Sequence, residues 1–432
     1  MTYEQALDYI HSFRRFGKKA GLTKITRLLS LLGEPHKRLS FVHVAGTNGK
    51  GSIVAMTASI LQAAGYRTGM YISPYVVDFT ERMQVNGEYI PPEELARCTA
   101  LVKPMVDIVT RELEAPSEFE VVTAIGLVWF SERRCDIVCL EVGLGGRLDP
   151  TNVIDTPLAA VIANLGLDHT EILGGTLEQI AAEKAGIIKK NATVVCYPSL
   201  AAEALAVILE KAAQQGARVV MGNENAAHIL RSEVFFTQLE YGGLSITLPL
   251  AGAHQVKNLI CVLEVIEVLR QKGYAITDAA IQAGIASVRF PARMEMWQGP
   301  PRVVIDGAHN PQSVRAFAET AARVTGRRIL LYSSLADKDY HAALRVLAPL
   351  FDHIYTAAMS CPRAERVEPL YEAARAVNPS CTLCTSLPEA LEHAISDAGA
   401  RGCGEAQGTV FICGSLFLAS EVRPLVISRF RT

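Results

Sequence analysis

Short apolar runs alternate with longer amphipathic stretches along most of this chain. That pattern predicts parallel strands joined by crossover helices. LSFVHVA (39–45) reads as a strand, and Lys50 to Ala64 as the helix after it. RTGMYI (67–72) reads as a second strand. CDIVCLEV (135–142) is apolar on both faces, as expected at the centre of a parallel sheet. LAAVIANL (158–165) is another strand, followed by the helix TLEQIAAEKAGII and the strand TVVCYP (193–198). The segment 233–250 changes period: it alternates and carries Gly242-Gly243, which predicts an antiparallel hairpin. A helix follows from about Gln255 to Lys272. SVRFPARMEMWQGPPR (287–302) has prolines and no clear period, so it joins two domains near residue 295. The alternation then restarts with the strand RVVIDGA, a helix from Pro311 to Val324, the strand RILLYSS and a late strand in GTVFICGSL (408–416).

Composition narrows the partners. The 432 residues carry 42 Lys and Arg against 44 Asp and Glu, a formal net charge of −2. That balance excludes nucleic-acid binding through a broad basic face, yet it leaves room for a small local anion site. The N-terminus has no signal-type apolar run, and no uninterrupted apolar stretch is long enough to span a bilayer. A soluble, cytoplasmic protein with no membrane partner is expected, and a monomer, because no segment reads as an assembly element. Most of the ten cysteines lie in apolar surroundings and read as buried free thiols. Cys381 and Cys384 form a C-x-x-C with no second pair at zinc spacing, so they too read as structural.

Between the first strand and its helix lies HVAGTNGKGS, His43 to Ser52. It departs from the common phosphate loop, which has four residues between Gly and Gly-Lys-Ser/Thr. The physical parts are nevertheless present. Gly46, Gly49 and Gly51 permit close backbone approach to anionic oxygens, Lys50 supplies a cation, and Ser52 a hydroxyl, at a helix N-terminus. The bland alternative is a glycine-rich turn with an incidental lysine. The carboxyl ends of three other strands add Ser73, Glu141 and the pair Asp168-His169, where open α/β sheets place their ligands. Each has a bland reading alone: Ser73 as a cap, Glu141 as a capping acid, His169 as a turn residue. Together with a phosphate loop they suggest a metal–nucleotide site.

These residues resemble the folylpolyglutamate synthase and dihydrofolate synthase family, within the wider Mur ligase group. That group's loop reads G-x-x-G-K-G/T-S/T, as GTNGKGS does. The resemblance spans nearly the whole chain: GLTKITRLLSLLG (21–33), ISPYVVDFTERMQVNG (72–87), SEFEVVTA (117–124), LEVGLGGRLDPTNV (140–153), LDHTEILG (167–174), EKAGIIK (183–189), GAHQVKN (252–258), FPARME (290–295) and DGAHNP (306–311). It implies an α/β fold with an N-terminal P-loop-type ATPase domain on a mostly parallel sheet, residues 1–294, binding ATP and folate. A smaller Rossmann-like glutamate-ligase domain would occupy 295–432. The implied reaction is ATP-dependent ligation of L-glutamate to a folate, with dihydropteroate as a further acceptor, through an acyl phosphate.

The resemblance also implies roles. Thr47, Asn48, Gly49, Lys50, Gly51 and Ser52 would hold ATP phosphates, and Asn258, Arg293 and Asp306 would contact ATP from the far side, with nucleotide bridging the domains. Ser73, Glu141 and His169 would ligate Mg²⁺. Lys184 matches a lysine that is carbamylated in the wider group; the bland reading is an exposed helix lysine pairing with Glu183. Lys50, Lys184 and His309 would serve catalysis, His309 by positioning glutamate or the γ-phosphate, against a bland reading as a turn histidine. Gly21, Leu22, Phe119, Glu120, Leu148 and Asp149 would line the folate pocket. Tyr75 stands where many relatives have histidine, Ser117 where threonine is frequent, and Ala292 where glycine is common; Ala292 leaves the backbone less free beside Arg293.

Rival readings remain. A peptidoglycan-type Mur ligase acting on another carboxylate usually carries an extra N-terminal domain, for which the chain before Gly46 has no room. A P-loop switch would have an ordinary phosphate loop. A binding protein without chemistry would not need Lys50, Glu141, His169 and Lys184 together. A folylpolyglutamate synthase that does not use dihydropteroate fits the same motifs.

Overall fold

The computed structural model describes residues 1–14, 21–399 and 408–430. Two compact units emerge: one holds Met1–His228, Glu240–Ile246 and Lys257–Val288, the other Ile229–Leu239, Thr247–Val256 and Arg289–Thr432.

The first unit is built on an eight-stranded sheet. Its strands are β1 Phe41–Ala45, β2 Thr68–Tyr71, β3 Met83–Val85, β4 Glu88–Tyr89, β5 Ile137–Glu141, β6 Ala159–Ile162, β7 Thr193–Cys196 and β8 Arg218–Met221. Their spatial order is β4-β3-β2-β5-β1-β6-β7-β8. From β2 to β8 across the sheet every pairing is parallel. The β4-β3 edge is antiparallel. Asn86 and Gly87 both take positive φ in the β3–β4 turn, the Asn-Gly hairpin chemistry. Register sets the site's height: Val44 lies opposite Glu141 on one side and Val161 on the other. The loops after β5, β1 and β6 therefore leave the sheet at one level.

Both faces of this sheet are covered, which explains why β1, β5 and β6 are buried throughout. On one face Leu28, Val102, Val121, Ile125 and Phe130 pack with Tyr71 and Met83. On the other, Ala181, Ile188, Ile208 and their neighbours cover Ala160 and Val194. The helix Glu118–Glu132 opens with a capping box, in which Ser117 and Glu120 satisfy each other's backbone N–H groups.

A three-stranded sheet follows: β9 His228–Ser232, β10 Thr237–Tyr241 and β11 Leu244–Leu248. The expected hairpin is present, with Gly242 and Gly243 both at positive φ. The second unit carries six strands, β12 Glu295–Trp297, β13 Arg302–Ile305, β14 Arg328–Tyr332, β15 His353–Ala357, β16 Cys381–Cys384 and β17 Thr409–Cys413. Their order is β12-β13-β17-β14-β15-β16, with only β12 antiparallel to its neighbour. Phe317, Phe351 and Phe411 meet edge to face in its core. The nine described cysteines are free thiols; Cys403 lies outside the described residues. Among the described residues, no helix is long and apolar enough to cross a membrane.

His43, in the middle of β1, is fully buried, and its Nε2 lies 2.9 Å from Thr151 Oγ1. Burial, with the nearby Lys189 cation, lowers its pKa to about 3. The folded state therefore holds the ring neutral where the unfolded chain protonates it. Its contribution is constant above pH about 6.5 and is lost as pH falls toward 3, at roughly 1.4 kcal/mol per pH unit. Urea unfolding of wild type and His43→Gln between pH 7 and 4.5 should show the smaller pH dependence in the variant. Equal slopes would remove His43 as the cause.

Candidate functional site

The Gly46–Ser52 loop runs from the end of β1 into the helix Lys50–Ala63. Its shape is fixed by close contacts. A Cβ on Gly46 would lie 2.6 Å from Ala163 Cβ, so only glycine fits. Gly49 has φ +85 and abuts Asn258, whose Oδ1 would lie 2.5 Å from a Cβ there. Thr47 N–H donates to Asn164 C=O at 2.8 Å, and Gly166 N–H donates to Thr47 Oγ1 at 3.1 Å. The segment after β6 is thus pinned to the loop after β1. The first helical turn then presents backbone N–H groups beside Lys50.

Lys50 and Glu141 meet across this edge, with Nζ 4.0 Å from Oε1. Glu141 is buried, and its Oε2 accepts the Ser73 N–H at 3.1 Å. Lys184 is 4% exposed and donates from Nζ to the Gly46 carbonyl at 2.8 Å. The bland reading of an exposed Lys184 paired with Glu183 therefore does not hold; Glu183 is taken by Arg147 at 2.8 Å. Burial first, and then the Lys50 cation, lower the Lys184 pKa to about 7, opposed by Asp168 and Asp149. His169 is exposed and adopts φ +50, an uncommon left-handed conformation found at functional turns.

The loop 142–153 packs beneath these residues. Arg147 N–H donates to Glu183 C=O at 2.8 Å, and Asn152 Nδ2 donates to the carbonyls of Arg147 and Gly186 at 3.1 Å. Asp149 is buried; its Oδ2 accepts Leu144 N–H and its Oδ1 accepts Thr151 N–H and O–H. Burial pushes the Asp149 pKa up, against those hydrogen bonds. Phe119 lies against Gly143, and its ring centroid is 6.1 Å from that of Tyr71. Leu22 packs on the same apolar cluster as Phe119. Glu120 accepts from Ser117 and lies 3.4 Å from Lys24, while its buried Oε1 has no hydrogen-bond partner. Leu148 is half-buried, as is Gly21 at the head of the Thr23–Leu31 helix.

In the second unit, Asp306 follows β13. Its Oδ1 accepts Ala308 N–H at 2.7 Å and its Oδ2 accepts Met294 N–H at 2.8 Å. Arg293 stacks over the Phe290 ring at 5.6 Å. Ala292 takes φ +53, the left-handed region that glycine favours, so an alanine here carries backbone strain beside Arg293. His309 Nδ1 lies 2.7 Å from the Gly307 carbonyl, so the neutral ring carries its proton on Nδ1.

Sequence reasoning thus marked the residues that gather at the β1, β5 and β6 ends. It gave no role to Lys24, His43, Asn164 or Thr151, which hold the marked residues in place. The signal for His43 was a polar residue inside an apolar strand.

The chain matches the Mur ligase middle domain model over residues 44–266 and the Mur ligase glutamate ligase domain model over 292–416. It is 38% identical to the Bacillus subtilis dihydrofolate synthase/folylpolyglutamate synthase, over 98% of both chains. It belongs to the folylpolyglutamate synthase/dihydrofolate synthase family of Mur ligases. The Escherichia coli dihydrofolate synthase/folylpolyglutamate synthase is 31% identical over 98% of this chain and 95% of its own. Among solved structures, the Mycobacterium tuberculosis folylpolyglutamate synthase complexed with ADP and AMPPCP aligns with a TM-score of 0.87 at 31% identity, covering 98% of each chain. The E. coli FolC structure in complex with DHPP and ADP aligns at 0.85 and 29% identity, covering 100% of this chain and 99% of that one. The mixed α/β fold, parallel-rich in both units, is the fold of these structures.

Gly49 carries two constraints at once, its φ and the Asn258 side chain. Gly49→Ala should lower the unfolding free energy by about 1–2 kcal/mol from the left-handed backbone alone. Adding Asn258→Gly should not restore wild-type stability, because it removes only the steric part. Full restoration, measured by urea unfolding, would show that the backbone is relaxed at Gly49.

Proposed function

We propose that this chain is an ATP-dependent ligase that joins L-glutamate to the carboxylate of a folate, and that it accepts dihydropteroate as well as reduced folates. The observation that carries the reading is the meeting of Lys50, Glu141 and Lys184 at the Gly46–Ser52 loop, in a chain alike end to end to the dihydrofolate synthase/folylpolyglutamate synthase of B. subtilis. Residues 1–294 are assigned to ATP and folate and 295–432 to the glutamate-ligase part.

The acceptor carboxylate attacks the γ-phosphorus of ATP, ADP leaves, and an acyl phosphate forms. The amino group of glutamate attacks the acyl carbon, phosphate leaves, and the amine's surplus proton passes to solvent. The protein's work is positioning and charge neutralisation. Thr47 to Ser52 cradle the phosphates, with Lys50 as the cation. Asn258, Arg293 and Asp306 are assigned to further ATP contacts.

The metal assignment is Mg²⁺ on Ser73, Glu141 and His169. The donor set fits: Glu141 is a buried carboxylate already beside Ser73. No group of three His, Cys, Asp and Glu gathers among the described residues. A site with one carboxylate suits Mg²⁺, which keeps waters and uses phosphate oxygens as ligands. Ser73, Glu141 and His169 would hold the ion, which would supply neutralisation of phosphate charge.

Phe119, Leu22, Gly21 and Leu148 are assigned to the folate ring system, where the Phe119 face can stack. Glu120 Oε1 is the acceptor atom for ligand N–H groups. Asp149, whose oxygens already bind the loop, holds that pocket wall in place. His309 is assigned to glutamate or γ-phosphate positioning. A cytoplasmic monomer is the working state.

Lys184 is assigned as a carbamate. Carbon dioxide adds to the neutral amine, and a pKa lowered to about 7 leaves much of it neutral at physiological pH. With ¹³C-bicarbonate, a carbamate resonance should rise between pH 6 and 8 and be missing in Lys184→Arg. A resonance that survives the substitution places the adduct elsewhere.

The direct test is phosphate release from ATP and Mg²⁺ with L-glutamate, in parallel with dihydropteroate and tetrahydrofolate, products checked by mass. A one-glutamate gain with both acceptors is expected. Gain with tetrahydrofolate alone restricts the enzyme to chain extension. No gain with either moves the assignment to another Mur-type acceptor.

A further inference from the structure

Arg82 is a buried cation with an unusual environment. It is 8% exposed, its Nε is buried without a hydrogen-bond partner, and among the described residues it forms no ion pair. Two aromatic faces touch it instead: the guanidinium carbon lies 5.1 Å from the Tyr75 ring centroid and 5.3 Å from that of Phe79. Cation–π contacts supply on the order of 0.5–2 kcal/mol, well short of the cost of burying a charge without an anion.

The nearest carboxylates along the chain are committed elsewhere. Glu81 accepts the N–H groups of Val76, Val77 and Asp78. Asp78 accepts from Thr80 and from Tyr3. The backbone meanwhile places Arg82 at the site. Ile72 N–H donates to the Arg82 carbonyl at 3.0 Å. The next residue, Ser73, donates its N–H to Glu141. Tyr71, whose ring meets Phe119, feels the Arg82 charge. A guanidinium with no ion pair among the described residues therefore lies against Tyr75 and Phe79, on a backbone segment bonded to the residue that precedes Ser73.

We propose that Arg82 binds a carboxylate of the acceptor substrate, holding it between the aromatic pocket and the phosphate loop. Guanidinium and carboxylate match as planar, bidentate partners, and the pair recovers the desolvation that the ligand-free protein bears alone. A carboxylate is the group that dihydropteroate and folates share. The proposal rests on the folate reading for the acceptor's identity, though not for the anion chemistry.

Arg82→Gln and Arg82→Lys should raise the acceptor KM by roughly ten- to a hundredfold, the range of a lost charge-assisted hydrogen bond, with AMPPCP affinity unchanged. A loss with both acceptors assigns the reacting carboxylate; a loss with tetrahydrofolate alone assigns the α-carboxylate of its glutamate. Without ligand, Arg82→Met should melt no lower than wild type, because it removes an uncompensated charge. An unchanged acceptor KM together with a lower melting temperature would make Arg82 structural and overturn the proposal. Independently of catalysis, p-aminobenzoylglutamate should raise the melting temperature of the wild-type chain, and its diamide should not. Equal shifts would also overturn the proposal. A chain that transfers glutamate to neither acceptor, yet distinguishes acid from diamide, would fail the folate reading and keep the anion site.

Discussion

One hydrogen bond organises the site: the buried Lys184 amine donating to the Gly46 carbonyl. It fastens the helix Leu177–Ala185 to the first residue of the phosphate loop. The loop's remaining freedom is removed by Asn164 and Gly166 on one side and by Asn258 on the other. The same bond sets the buried Lys184 amine within reach of the Lys50 cation, which together with burial lowers its pKa against the opposing pull of Asp168 and Asp149, while Lys50 itself faces the buried Glu141 carboxylate. Such an arrangement is costly for an empty protein and favourable for one holding phosphates. The loop after β5 completes it, because Arg147 and Asn152 clamp the carbonyls at the end of the Lys184 helix. Lys184 is therefore placed by packing on both ends, and its charge state follows from that burial.

The sheet explains why these groups meet. Val44, Glu141 and Val161 share one level across three adjacent parallel strands. Parallel strands point all their carboxyl ends the same way, so three loops from distant stretches of chain open onto one edge. Burial of β1, β5 and β6 on both faces makes their register hard to slip. The catalytic geometry is thus a consequence of apolar packing several residues below it.

Much of this was legible in the sequence. The strands β1, β2, β5, β6 and β7 were readable from apolar runs, and the β10–β11 hairpin from its paired glycines. The strands β3, β4, β8, β9, β12, β15 and β16 were not singled out. β4 is two residues long and exposed, and β8 is exposed or half-buried, so neither carries a strong periodic signal. Asn86-Gly87, which makes the β3–β4 turn, was not read as a hairpin signal although its residue types fit one. For the site, residues on strand ends could be marked because topology alone sends them to one edge. Lys184 reads as a surface residue in the helix pattern, and only three dimensions show its burial. Arg82 lay inside a marked motif without a role, since the lack of a counter-ion is invisible until its neighbours are placed.

Taken together, Lys50 and Arg82 give the first unit two cations near its binding edge, beside a Lys184 amine that burial leaves partly neutral, in a chain of net charge −2. Glu141 lies 4.0 Å from Lys50, and Arg82, which forms no ion pair among the described residues, has the Tyr75 and Phe79 rings against it. Natural folds seldom retain such charges unless a ligand answers them. The stability of the protein is then coupled to its substrates by mass action, since each anion that binds only the folded state adds to the unfolding free energy. On the proposed reading, phosphates would answer Lys50 and the helix N-terminus, an acceptor carboxylate would answer Arg82, and carbamylation would turn the Lys184 amine into an anion. On that reading the edge would stay under-neutralised until nucleotide and acceptor are both present, a condition that favours phosphoryl transfer to a carboxylate over transfer to water.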